Sequence, residues 1–277
     1  MEGGRGMNLE ERARAHAALG EPVRLAIVDE LVLGDAAPGE LSTRFGLATN
    51  LLAFHLRVLD EAGLIRRVRS EGDRRRQYVQ LRLDDPAVAS LARPAPGPAA
   101  AVAGGGAVPR RVVFVCTANS ARSQLAAAAW RRVSTLPTAS AGTHPAPRIH
   151  PRAVAAARRH GLDLTGAAPT ALTALPGLGL SGEQDAGSDA GLDAADEPLV
   201  VAVCDNAHEE LARGLRTAPQ GQSRAGRRWL HWHVPDPVRV DTDDAFEAAY
   251  AQITERVDRL AAALEPAPPS GSLSAAS

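Results

Sequence analysis

The chemistry of this chain is concentrated in one octapeptide, Cys-Thr-Ala-Asn-Ser-Ala-Arg-Ser at 116–123. It follows a continuous apolar run at 112–115, as a buried parallel strand requires, and it precedes a helical segment. A strand–loop–helix unit aims several backbone N–H groups at one point, and the positive end of the helix lies there too. A tetrahedral oxyanion fits such a nest. The same field stabilises a thiolate, which makes Cys116 a candidate nucleophile. Arg122, on the first helical turn, offers a planar fork for two oxyanion oxygens. Thr117, Ala118, Asn119, Ser120, Ala121 and Ser123 complete the oxyanion-binding loop, with Ser120 expected to donate its hydroxyl to the sulfur and Asn119 to brace the backbone. A lone cysteine at a strand end is often inert packing; the five-residue spacing to an arginine in this context favours chemistry.

Cys204, the only other cysteine, ends a second apolar run at 199–203. The C-terminal ends of parallel strands share one crevice, so Cys204 is a candidate resolving thiol, with an inert buried thiol as the alternative. Asp236, in Pro-Asp-Pro at 235–237, is either a general acid or an Asp-Pro turn. His231 and His233 share one face of an expected strand at 229–232, without a cysteine or carboxylate cluster nearby in sequence. Neither a metal site nor a bound cofactor is expected.

The elements that must position these residues fall in two domains. Their expected bounds are 1–93 and 110–265, joined by a Pro/Gly/Ala linker at 94–109 and followed by a tail at 266–277. Two further segments rich in Gly, Ala and Asp, at 176–198 and 214–227, read as insertions in the second domain. There, strands at 112–115, 138–141, 199–203 and 229–232 alternate with helices, which implies an α/β parallel sheet. Phe246, Tyr250, Ile253, Val257, Leu260 and Leu264 mark a long packing helix.

The first domain reads as helices at 9–19, 22–33 and 38–45, then a helix at 48–62 ended by Gly63. Leu52, Leu56 and Leu59 should face the core, leaving Thr49, Asn50, Ala53 and Arg57 outside. Strands at 64–69 and 77–83 around Glu71-Gly72-Asp73 make a wing. Residues 54–82 hold eight arginines and four acids, a local +4 in a domain of about zero charge. With helix 48–62 in the major groove, Thr49, Asn50 and Arg57 reach bases or phosphates, and Arg74, Arg75 and Arg76 meet phosphates. A solvated hairpin is the bland alternative for the arginine run.

Overall charge is −1, from 31 basic and 32 acidic residues, so any nucleic-acid signal must be local. The basic residues are all arginine. No apolar run is long enough for a membrane helix, and the first residues lack a secretion signal. A cytoplasmic protein with reduced thiols, and no membrane partner, is expected.

The run at 116–124, ending in Gln124, resembles the active-site loop of low-molecular-weight protein tyrosine phosphatases and the related thiol-dependent arsenate reductases. Ser140-Ala141-Gly142-Thr143, Val203-Cys204-Asp205-Asn206 and Pro235-Asp236-Pro237 agree with it, and the resemblance spans about 110–264. It implies a flavodoxin-like α/β fold, with Asp236 as the general acid. Gln124 and Ala121, where the phosphatases usually carry Pro and a second Cys, resemble the reductases. Their chemistry implies a Cys116–arsenate adduct resolved by a second thiol. The thioredoxin-coupled reductases have a further cysteine at a position that here is Leu211, so their three-cysteine relay is excluded. The second attack then falls to Cys204 or to an external reductant of the mycothiol, thioredoxin or glutaredoxin kind.

Residues 9–93 resemble the ArsR-type winged-helix regulators, carried by Gly-Glu-Pro-Val-Arg-Leu-Ala-Ile at 20–27, Gly46-Leu47, and the stretch at 54–65. The resemblance implies an α+β winged helix-turn-helix that binds a double-stranded operator as a homodimer. Arsenic-sensing members carry cysteines in the segment that here is 31–41, which has none. The implied whole is a DNA-binding regulator fused to an arsenate reductase. A phosphatase and a non-catalytic oxyanion or redox sensor are the alternatives. Coupling between the halves would have to cross a linker whose composition transmits little strain.

Overall fold

The computed structural model describes residues 7–92, 109–175, 198–217 and 229–264. The tail and nearly all of the linker and of the two insertions named above lie outside the described residues.

The N-terminal unit runs α1 (Leu9–Leu19), α2 (Pro22–Leu33), α3 (Pro38–Phe45), α4 (Thr49–Glu61), β1 (Ile65–Arg69), β2 (Gln77–Leu81) and α5 (Pro86–Leu91). Its boundaries have local causes. Asn8 and Glu11 form a capping box at α1, and the Glu21 carboxylate accepts from the amides of Val23 and Arg24 at the start of α2. Gly46 (φ 61°) ends α3 and Gly63 (φ 73°) follows α4, conformations that cost glycine nothing. Leu52, Leu56 and Leu59 are buried, while Thr49, Asn50, Ala53 and Arg57 are exposed. β1 and β2 pair antiparallel from Ile65–Leu81 to Arg69–Gln77. The tight turn closes at 73–76, where the Arg76 amide donates to the Asp73 carbonyl at 2.8 Å, so the turn lies beyond the expected Glu71-Gly72-Asp73. Glu71 and Gly72 are engaged elsewhere.

The second unit runs β3 (Val112–Cys116), α6 (Arg122–Val133), β4 (Thr138–Gly142), α7 (Pro151–Arg159), β5 (Leu199–Ala202), α8 (Asp205–Thr217), β6 (Trp229–His231), α9 (Pro237–Val240) and α10 (Asp243–Leu264). Its sheet is parallel throughout, in the order β4-β3-β5-β6. Every residue of β3 is buried, as a strand covered on both faces must be. The order places the ends of β3 and β5 side by side, hence Cys116 near Cys204.

The two units are not merely tethered. Their apolar side chains form one continuous core. Asp35, just after α2, is the polar pin: its amide donates to the His231 carbonyl at 2.7 Å. The Asp35 carboxylate accepts from the His233 amide (2.6 Å) and Gln80 Nε2 (2.9 Å), and pairs with Arg256 (3.0 Å). Trp232 Nε1 donates to the Leu33 carbonyl at 2.7 Å. Removing one partner from a buried pair of this kind costs about 3–5 kcal/mol. The expectation that only the linker could carry coupling therefore fails, because the contact is direct.

Candidate active site

The loop after β3 wraps around the sulfur of Cys116. The Asn119 amide donates to Cys116 Sγ at 3.2 Å, and the Ser123 hydroxyl lies 3.0 Å from it. The hydroxyl on the sulfur thus belongs to Ser123 and not to the expected Ser120. Ser123 lies in the first turn of α6, and its side chain turns back along the helix axis toward the loop.

Asn119 holds the loop by means sequence alone suggested only in outline. It adopts the left-handed region (φ 48°), which an Asn tolerates better than most residues. Its Nδ2 donates to Ser123 Oγ at 2.8 Å, while its Oδ1 accepts from Gln124 Nε2 (3.1 Å) and the Thr170 amide (2.8 Å). The other wall is Gly142. A Cβ there would lie 2.7 Å from the Thr117 carbonyl oxygen and 3.0 Å from Asn119 Cβ and N. The Ser-Ala-Gly-Thr segment therefore needs its glycine so that β4 can approach the loop.

Arg122 is buried and faces the same cavity of about 170 Å³, which is lined by Cys116, Thr117, Ala118, Ser120, Ala121, Arg122, Asn206, Asp236 and Val238. Its guanidinium donates to the Val234 carbonyl at 2.9 Å and pairs with Asp236 at 3.2 Å. Burial by itself lowers the guanidinium's pKa. The sulfurs of Cys204 and Cys116 and the carboxylates of Asp236 and Glu71 outweigh burial, and the net shift is upward. Asp236 also caps α9, accepting from the Val238 amide at 3.1 Å, so its turn and its place in the cavity are one arrangement. The two readings of Pro-Asp-Pro are not exclusive.

Cys204 is buried, and its sulfur lies 3.6 Å from Thr117 Oγ1. Burial, the largest influence, pushes its thiol up to about 11, with Arg122 acting in the opposite direction. Cys116 and Cys204 are both free.

His231 and His233 surround a carboxylate. Asp205, at the start of α8, accepts from His231 Nε2 (2.9 Å) and His233 Nδ1 (2.8 Å). Burial alone would raise the pKa of Asp205, but its two imidazole partners hold it well below the usual carboxylate range. Burial lowers the pKa of His231, and its Nδ1 has no hydrogen-bond partner, so the ring is neutral with its proton on Nε2. Among the described residues no group of three or more His, Cys, Asp or Glu could hold a metal ion.

Sequence reasoning missed the wing's part in this site. Glu71 extends from the hairpin to Arg122, with Oε2 3.4 Å from the guanidinium, and its Oε1 accepts from the Asp236 amide at 3.1 Å. Its own amide donates to Asp205 at 2.7 Å. No pattern within 64–83 signals this, because the partners lie 51 to 165 residues on. Arg74, Arg75 and the α4 residues Thr49, Asn50 and Arg57 remain exposed, and Arg76 is half-buried. Leu51 and Phe54 are also exposed on α4, and the Arg57 guanidinium stacks on the Phe54 ring at 5.5 Å.

Residues 111–179 match the family model for low molecular weight phosphotyrosine protein phosphatase, and residues 19–68 match a helix-turn-helix domain. The first match contains Cys116 and Arg122 but stops before Cys204 and Asp236. No curated protein matches the chain. Among solved structures, an arsenate reductase from Archaeoglobus fulgidus is 22% identical with a TM-score of 0.38, covering 54% of this chain and 98% of its own. The tyrosine phosphatase Wzb from Escherichia coli K30 is 22% identical with a TM-score of 0.41, covering 55% and 96%. The Erwinia amylovora tyrosine phosphatase amsI is 20% identical with a TM-score of 0.42, covering 56% and 93%. A helix-turn-helix DNA-binding domain is thus joined in one chain to an α/β domain of the low-molecular-weight phosphatase type. Among the described residues no helix is long and apolar enough to cross a membrane.

Proposed function

We propose that the chain is a DNA-binding transcriptional regulator whose second domain is a thiol-dependent arsenate reductase, acting in arsenical resistance. One observation carries the reading: Cys116, Arg122 and Asp236 line a single small cavity at the end of a buried strand. Among the described residues the cavity's lining has no aromatic side chain to stack on an aryl group, and a second thiol, Cys204, lies beside Thr117. Both features suit a small inorganic oxyanion.

In this reading Thr117, Ala118, Asn119, Ser120 and Ala121 present their amides, with Ser123 at the sulfur and Arg122 over the oxyanion. The Cys116 thiolate attacks arsenic(V), and Asp236 protonates the departing hydroxide, which leaves as water. A second thiolate then attacks the Cys116 sulfur. The sulfur–arsenic bond breaks with its electron pair remaining on arsenic, so arsenite departs and a disulfide is left. Arsenic gains two electrons, supplied by the two sulfurs. We assign the second attack to an external thiol of the mycothiol, thioredoxin or glutaredoxin kind, since a buried protonated Cys204 is a poor nucleophile. The regulator half acts as an ArsR-type homodimer in the cytoplasm, with α4 in the major groove of its operator and Thr49, Asn50 and Arg57 toward bases and phosphates.

A second reading, phosphoester hydrolysis, has one observation in its favour. A groove of about 660 Å³ begins at Ala118 and Ser120 and continues past Ile149, His150, Arg152 and Val238, with room for an organic leaving group. Arsenate with each thiol in turn, set against an aryl phosphate, separates the two. Arsenite released in step with thiol oxidation supports the reductase, and aryl phosphate turnover without arsenite overturns it.

A further inference from the structure

The wing of the DNA-reading domain packs against residues that line the oxyanion cavity. Its tip is held at several points. The Ser70 hydroxyl donates to Glu209 Oε1 at 2.6 Å, the Asp73 amide to Glu209 Oε2 at 3.1 Å, and the Tyr78 hydroxyl to Glu209 Oε1 at 3.1 Å. Gly72 lies so close that an added Cβ would be 2.5 Å from Asn206 Oδ1 and 2.8 Å from Glu209 Oε2. Asn206 is itself part of the cavity lining. Between these contacts Glu71 places its carboxylate against Arg122 and the Asp236 amide.

Arg122 therefore already faces two carboxylates, Glu71 and Asp236. An arsenate or phosphate held by the Cys116 loop needs the same guanidinium and brings like charge beside Glu71. A docked Glu71 and a bound oxyanion oppose each other by charge and by competition for one donor.

We propose that Glu71 is an internal competitor for the oxyanion site, so that filling the site expels the wing tip. This inference rests on the oxyanion-binding reading of Cys116 and Arg122. Expulsion frees Ser70, Glu71 and Asp73, which hydrogen bonds hold in the docked state, beside the arginines of the wing. By linkage, any duplex DNA that engages the wing tip and an oxyanion that fills the cavity favour the same undocked state, and each tightens the other.

The test uses the full chain and inorganic phosphate at constant ionic strength in chloride buffer. Glu71→Gln keeps the shape of the side chain and removes its charge; Gly72→Ala crowds the Asn206 and Glu209 side chains that hold the tip, and so loosens the docking without touching that charge. Both are expected to bind phosphate more tightly than the wild type, by roughly 5- to 150-fold, the usual span of coupling between sites. Hydrogen exchange supplies the second readout, since the amides of Glu71 and Asp73 are protected by Asp205 and Glu209 in the docked state. Phosphate should accelerate their exchange in the wild type. Equal phosphate affinity in all three chains overturns the competition. Tighter binding in the variants with wild-type exchange unmoved by phosphate overturns the expulsion. If arsenate is turned over and Glu71→Gln changes nothing, the inference falls and the reductase reading stands. Failure of every chain to bind phosphate overturns both.

Discussion

Replacing Gly142 by Ala isolates the contact that shapes the loop around Cys116. Gly142 pairs with Cys116 in the β3–β4 register and donates its amide to the Thr170 carbonyl at 2.8 Å. Its φ is not positive, so Ala is compatible with the backbone there and the perturbation is steric. The new Cβ would sit 2.7 Å from the Thr117 oxygen, where ordinary contact begins at 3.4 Å. Both obstacles are rigid: one is the backbone of the loop itself, the other Asn119 with its left-handed φ. The loop must therefore retreat by about 0.7 Å, and misplacement of reacting groups by about 1 Å costs on the order of 10²-fold in rate. Overpacking costs about 1–3 kcal/mol, offset by about 0.4–1 kcal/mol from the less flexible unfolded chain, so a net loss of about 1–2 kcal/mol is expected. Arsenite release with excess thiol should fall roughly 30- to 100-fold while urea unfolding shifts only modestly. Turnover within twofold of the wild type would show that the loop does not depend on this approach.

Three further outcomes follow from the same geometry. Cys204→Ser is expected to keep multiple turnovers with a small external thiol, because burial pushes the Cys204 thiol up to about 11 and little thiolate forms at neutral pH. A variant that stalls after a single arsenite with every thiol offered would identify Cys204 as the resolving group. Burial holds the folded-state pKa of His231 below its ordinary 6.5, so as pH falls through that value the unfolded chain takes up a proton that the folded chain refuses. Urea stability should decline below about pH 6.5, by at most about 1.4 kcal/mol per pH unit, and His231→Gln should flatten that part of the curve; an unchanged curve counts against the neutral ring. Arg75, with a side chain 91% exposed at the wing tip, is expected to meet phosphate. Arg75→Ala should lower the slope of log affinity against log salt by about one for duplexes of any sequence, and an unaltered slope would remove it from the interface.

The loop at 116–123 was legible because its chemistry is local: strand, nest and helix start are contiguous, and residue types alone place a sulfur and a guanidinium together. The helix-turn-helix was legible for a similar reason, since Leu52, Leu56 and Leu59 repeat with the helical period and Gly63 marks a stop. Within that frame, Ser123 rather than Ser120 reached the sulfur, because the rotation at the start of α6 settles which hydroxyl points back. What no local pattern could supply is the pairing of distant charges. Asp205 between His231 and His233, Asp35 on Arg256, and Glu71 on Arg122 join segments far apart in sequence, and each looks like an ordinary surface charge when read alone. Sequence by itself determined the two kinds of domain and the loop that brings Cys116 and Arg122 to one place, since both depend on periodicity and spacing over a few residues. Only the tertiary structure decided that the wing reaches Arg122 beside the cavity, because holding a carboxylate there depends on a cation and a backbone donor that become neighbours only once both units share one core.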